Sequence, residues 1–200
     1  MRVLIVLLLC VFLPITSNAE VKSVLSKIDL QKGIENLLDQ CPSKLMPVVE
    51  ANYQDHIEYC SDKLNICLDQ CMNGKANYCI GLANNIMSDE IQYKYSEFLF
   101  AKACQKGVVT ACTNRAAGIM RFSAERMECV ANSFAKTCEY DDAWGCTMYG
   151  LVLSRGMGID ANPELALKVL KAGCKHGSDD SACKSAKAIE NQILNNESNH

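Results

Sequence analysis

Thirteen of the 200 residues are cysteine, and their spacing is the first chemistry the chain offers. Cys71 and Cys79 lie eight apart, as do Cys104 and Cys112, and Cys138 and Cys146; Cys174 and Cys183 lie nine apart. In an oxidising compartment, thiols in such a framework pair as disulfides. Metal binding is the competing chemistry. His56 with Cys60, and Cys67 with Cys71, have one-turn spacing, so two facing helices could offer zinc one imidazole and three thiolates. Cys71 already has a partner in the eight-residue pattern, however, and exported thiols usually pair. We therefore expect disulfides there, with no metal and no cofactor.

Nucleophilic chemistry is thin. Ser133-x-x-Lys136 and Ser181-x-x-Lys184 both match the opening motif of serine β-lactamases, but the Ser-Asp-Asn and Lys-Thr-Gly elements that complete that site are absent. There is no Gly-x-Ser-x-Gly elbow, no phosphate-cradling glycine loop, no His-Glu-x-x-His and no Cys-x-x-Cys. Of three histidines, His200 is the last residue, and His176 lies at a helix end where the helix dipole favours a basic group. We expect no catalytic residue.

The compartment is read from the first nineteen residues. Met1-Arg2 is followed by the apolar run Val3 to Leu13, a break at Pro14, and small residues at Ser17 and Ala19. This pattern predicts a secretory signal peptide over residues 1–19, cleaved after Ala19, and too short to span a bilayer. Its loss removes Cys10 and leaves an even number of cysteines. No later run is long and apolar enough to cross a membrane. The formal net charge of −3 argues against nucleic acid as a partner. With 49% hydrophobic and 22% charged residues, the chain falls in the globular class and is long enough to bury a core.

The cysteines also mark a repeat. Cys71, Cys104, Cys138 and Cys174 recur at intervals of 33, 34 and 36 residues. Lys102-Ala103-Cys104 with Gly107 parallels Ala172-Gly173-Cys174 with Gly177; Gly74 holds the same place, and Asp141 replaces the glycine after Cys138. Four residues past the second cysteine comes a small residue: Ala83, Ala116 or Gly150. A period in the mid-thirties is that of an all-α solenoid of helical hairpins. Residues 77–87, 91–106, 110–122 and 163–175 read as helices. Asn162-Pro163-Glu164 supplies cap, first-turn proline and first-turn acid for the last of these. Each close cysteine pair then clamps the end of one hairpin to the start of the next. Closing a loop of about nine residues contributes on the order of 2.5 kcal/mol per bond.

Ala143-Trp144-Gly145-Cys146-Thr147-Met148-Tyr149-Gly150, continuing through Ser154-Arg155-Gly156-Met157-Gly158 to Lys171-Ala172-Gly173-Cys174, resembles a Sel1-like repeat. With its clamping cysteines it is similar to the Helicobacter cysteine-rich proteins. The resemblance covers residues 143–183 well, is degenerate over 76–142, where the Gly-x-Gly loop is missing, and fades before residue 71. It implies a right-handed superhelix related to tetratricopeptide arrays and used to bind other proteins. Some relatives have been credited with binding or hydrolysing β-lactams, which is the alternative function. In such arrays the first helix of each hairpin lines the concave side. That implies Asn77, Asn84, Asn114, Arg115 and Ser154 as partner contacts, with a solvated helix face as the alternative for each. Trp144 and Tyr149, large aromatics near a junction, are expected in the core.

Ahead of the repeats, residues 20–70 read as divergent helices capping the solenoid, and residues 184–200 as a capping helix with a polar tail. Asn36-Leu37-Leu38-Asp39-Gln40-Cys41 echoes Ile66-Cys67-Leu68-Asp69-Gln70-Cys71. Cys41, Cys60, Cys67 and Cys129 permit three pairings that sequence leaves open; Cys41 with Cys60 and Cys67 with Cys129 is our preference among them. The expectation is a secreted or periplasmic monomer that binds a protein or peptide.

Overall fold

The computed structural model describes residues 16–31, 33–42, 54–87 and 90–197, and the apolar run of the expected signal peptide lies outside them. These residues are helical, without a strand. In chain order the helices are α1 (Thr16–Asp29), α2 (Ile34–Leu38), α3 (Gln54–Cys60), α4 (Leu64–Met72), α5 (Ala76–Ile86), α6 (Glu90–Gln105), α7 (Val109–Phe122), α8 (Met127–Glu139), α9 (Ala143–Arg155), α10 (Pro163–Leu170) and α11 (Ser181–Glu197). The last turn expected of α10 tightens to a 3-10 segment, Lys171–Cys174, where Gly173 lets the chain close on Thr147 and Ala186. No helix among the described residues is long and apolar enough to cross a membrane.

From α3 onward the helices pack mainly on their chain neighbours, α5 on α6, α6 on α7, α7 on α8, α8 on α9 and α9 on α10, and α3 also lies on α5. The apolar interior follows in three consecutive clusters. The first joins α1 and α4–α6 to the start of α7, the second is shared by α7, α8 and α9, and the third lies among α9, α10 and α11. The small residues after the second cysteines are all buried: Ala83 and Ala116 are in the core, and Gly150 meets Leu170 so closely that a side chain would collide with it.

Three junctions share one backbone design. Gly74, Gly107 and Asp141 all take left-handed φ, at 86°, 88° and 60°. Their amides donate to the carbonyls of Cys71, Cys104 and Cys138, each at 2.9 Å. The next amides, of Lys75, Val108 and Asp142, reach back five residues to Gln70, Ala103 and Thr137 at 3.1–3.2 Å. This pair of bonds is the glycine-type helix stop that satisfies the terminal carbonyls. Asp141 is the non-glycine residue at positive φ among the described residues. Its neighbour Asp142 caps α9 through the Gly145 amide and takes hydroxyl donors from Thr110 and Thr113 of α7.

Disulfides join Cys71–Cys79, Cys104–Cys112, Cys138–Cys146 and Cys174–Cys183, with Cα–Cα distances of 4.2–4.9 Å. The preference for the other four cysteines is corrected: the pairs are Cys60–Cys67 and Cys41–Cys129. Cys60 closes α3 and Cys67 lies in the first turn of α4, so this pair spans a turn like the junction pairs. Cys41 reaches Cys129 because the amino-terminal segment runs along the second helices of the hairpins instead of stacking on the end. In that segment α1 buries Val24 and Ile28, packing on α4 and α6, and α2 packs on α6. Glu20 accepts the Asn65 amide at the start of α4, and the Tyr95 hydroxyl donates to Asp29. The hairpin of α3 and α4 is what precedes α5.

Candidate functional site

The turn after α4 and the first turn of α5 form one wall of an open cleft of about 420 Å³. Gly74, Lys75, Ala76, Asn77 and Tyr78 line that wall; His56 of α3 faces it from one side and Lys106 and Val108 from the other. A smaller depression, sharing Gly74, Ala76 and Lys106, continues over the Cys71–Cys79 disulfide to Lys102 and Gln105. The site is therefore built on a junction. The glycine stop turns the chain, the disulfide fixes the two helix ends, and the last turn of α6 lies alongside. Lys102 in the last turn of α6 and Lys106 just past its end both line this depression.

Charge is the main property of the cleft. The ion pairs among the described residues are Lys63–Asp62, Lys94–Asp29, Arg115–Glu97, Arg126–Glu97 and Lys168–Glu164. Lys75, Lys102 and Lys106 take part in none of them. The Lys75 ammonium lies 5.8 Å from the centre of the Tyr78 ring, and Lys102 lies 5.5 Å from that of Phe98. Helix α5 begins at Lys75 without a side-chain cap, so the positive end of its dipole adds to the lysines. The His56 ring meets Tyr78 edge-on with centroids 4.5 Å apart. Two buried atoms in these walls, His56 Nδ1 and Asn77 Oδ1, have no hydrogen-bond partner. The arrangement can attract a carboxylate and pack an apolar group beside it on Tyr78 and Val108. Among the described residues neither a serine nor a carboxylate lines it, and its two cysteines are oxidised.

Of the residues expected to touch a partner, Asn77 lies in this cleft. Asn84 is half-buried and donates to the Ile80 carbonyl of its own helix, and the Ser154 hydroxyl donates to Leu151. Asn114 is half-buried on α7. Arg115 is a correction: its side chain is wholly inaccessible. The guanidinium donates to Glu97 at 3.2 Å and to the carbonyls of Leu37, Leu38 and Gln40 at 2.7–3.1 Å. It thereby caps the carboxyl end of α2, whose terminal carbonyls would otherwise be unpaired. Burial pulls the Arg115 guanidinium down from its usual range, with Glu97 opposing, and pushes the neighbouring Tyr93 phenol far up. Trp144 is corrected too: it is 39% exposed, because Ala143, Cys146, Thr147 and Gly150 make the buried arc of α9 and position 144 lies outside it.

The remaining motifs do not assemble. Ser133 is buried, with its hydroxyl donating to the Cys129 carbonyl at 2.7 Å. Ser181 and Lys184 are exposed at the start of α11, and His176 is exposed. Disulfides consume the sulfurs of Cys60, Cys67 and Cys71, and no group of three metal-ligating side chains is gathered among the described residues. The three cleft lysines were missed in the sequence reading. Their signal was present in the text as lysine recurring beside the junction cysteines, at Lys75 and at Lys102-Ala103-Cys104. Comparison with protein-family models, with curated proteins and with solved structures gives no match for this chain.

Proposed function

We propose that this protein is an exported, disulfide-clamped solenoid of Sel1-like helical hairpins that binds another protein, and that it holds a carboxylate-bearing segment of that partner in the cleft at the Cys71–Cys79 junction. The observation that carries the reading is the set of three lysines, Lys75, Lys102 and Lys106, gathered at an uncapped helix start with no carboxylate among the described lining residues. Supporting it are the hairpin-by-hairpin packing, the oxidised cysteines at every junction, and an apolar leader sequence of the exported kind. The cations and the aromatic ring of the lining suit binding, and we read the role as recognition.

The test is capture from a periplasmic or extracellular extract by the immobilised, oxidised protein, in parallel with the Lys75→Glu/Lys106→Glu variant. A partner retained by the native chain and lost from the variant, at equal helical content by circular dichroism, supports the reading. Retention of nothing, or of the same proteins by both, overturns it.

A further inference from the structure

Five of the six disulfides close turns, with sequence separations of seven to nine residues. Cys41–Cys129 differs, joining residues 88 apart and tying the amino-terminal segment to α8. It differs in burial as well: both of its cysteines are half-buried, whereas every other pair has at least one fully buried member. The last part of the segment it ties down packs on the core shallowly: Ile34, Leu37 and Leu38 lie half-buried against it, and Pro42 alone is buried. No residue of α2 is buried. Polar contacts to backbone add to this, from Arg115 to Leu37, Leu38 and Gln40 and from Arg126 to Leu38. The turn disulfides have no such role, because their helix ends stay adjacent through the backbone bonds of the junction.

We propose that Cys41–Cys129 is a redox latch, opened by an external dithiol ahead of the five turn disulfides, and that its opening frees residues 33–42 from the second-helix face. One thiolate of the dithiol attacks Cys129 Sγ, and the sulfur–sulfur bond to Cys41 breaks. Cys41 leaves as a thiolate, with its sulfur 3.4 Å from the Ser133 oxygen, and then takes a proton from water. The second thiol of the reductant, deprotonated, displaces Cys129 from the mixed disulfide. The net result is a dithiol oxidised to its disulfide and Cys41 and Cys129 reduced to thiols. Opening uncovers the guanidinium groups of Arg115 and Arg126, which have lost the carbonyls they held, beside a reduced Cys129. That surface is separate from the lysine cleft, and the latch does not depend on what the cleft binds.

The experiment is a titration of the oxidised full-length protein with dithiothreitol, quenched by an alkylating agent and mapped by peptide mass spectrometry, with amide hydrogen exchange measured at each step. The expected result is labelling of Cys41 and Cys129 at a reductant concentration at least tenfold below that which labels any turn cysteine. At that step amides of residues 33–42 exchange at least tenfold faster, while those of α9 are unchanged. The full-length Cys41→Ser/Cys129→Ser variant is expected to show the same faster exchange without reductant. Reduction of this pair together with or after the turn pairs overturns the proposal, as does native-level protection of residues 33–42 in the selectively reduced protein.

Discussion

Arg115 shows how a single residue can change meaning between sequence and structure. On the sequence it is a polar position on a first helix; in the fold it is a buried cation whose charge is met by Glu97 and three backbone carbonyls. Replacing it with methionine leaves Glu97 buried with only Arg126 and strands those carbonyls. Removing one partner of a buried pair costs about 3–5 kcal/mol, and denaturant unfolding of Arg115→Met should show a loss of that size. Asp141 is a residue-scale case of the opposite sign. It holds at φ 60° a conformation that its counterparts Gly74 and Gly107 adopt freely. An L-residue there is strained by about 1–2 kcal/mol, and the greater freedom of glycine in the unfolded chain offsets part of the relief. Asp141→Gly should therefore raise stability by about 0.5 kcal/mol, read as a higher melting temperature.

At the scale of elements, the interhelix loops carry the information that helices alone lack. Gly158 takes φ 71°, and a Cβ there would strike the backbone of Met127 and Glu128 at the start of α8. This close approach seats the α9–α10 loop on the preceding hairpin. Gly177 also takes positive φ, 101°, but a Cβ there meets nothing within 4 Å. The two glycines separate strain from collision. Gly177→Ala should cost about 1 kcal/mol, the conformational term alone, while Gly158→Ala should cost about 3 kcal/mol or more, since backbone must move as well. Urea unfolding of the two variants side by side checks this. The sequence reading placed the helices to within about one residue for α5, α6 and α7, because apolar spacing and glycine stops are local signals. It did not foresee the 3-10 ending of α10, which depends on Thr147 and Ala186 from other helices.

For the whole molecule, covalent ties act at two ranges. A turn disulfide such as Cys71–Cys79 removes unfolded-state entropy worth about 2.5 kcal/mol, and the 88-residue closure by Cys41–Cys129 about 4.6 kcal/mol on the same chain-entropy account. Global unfolding of the Cys71→Ser/Cys79→Ser variant should therefore show the smaller loss and that of Cys41→Ser/Cys129→Ser the larger. Equal losses in denaturant titrations would contradict the account. Binding is the other property of the whole molecule. The cleft needs α3, the α4–α5 turn and the end of α6 together, so no single segment of sequence contains it.

Local features of the fold follow from residue order alone. The helical class, the mid-thirties period, the glycine or aspartate stops and the eight- and nine-residue cysteine pairs all follow from spacing along the chain, because the partners lie within one turn of each other. Features that depend on helix crossings emerge from the packed fold. It placed the amino-terminal segment along the second helices, and so brought Cys41 to Cys129 across 88 residues. It took Arg115 out of the solvent and put Trp144 into it. It gathered Lys75, Lys102 and Lys106 with no acid among the described residues that line the site. Such pairings depend on which helix faces pack together, and residues far apart in the chain carry no mark of it in their spacing.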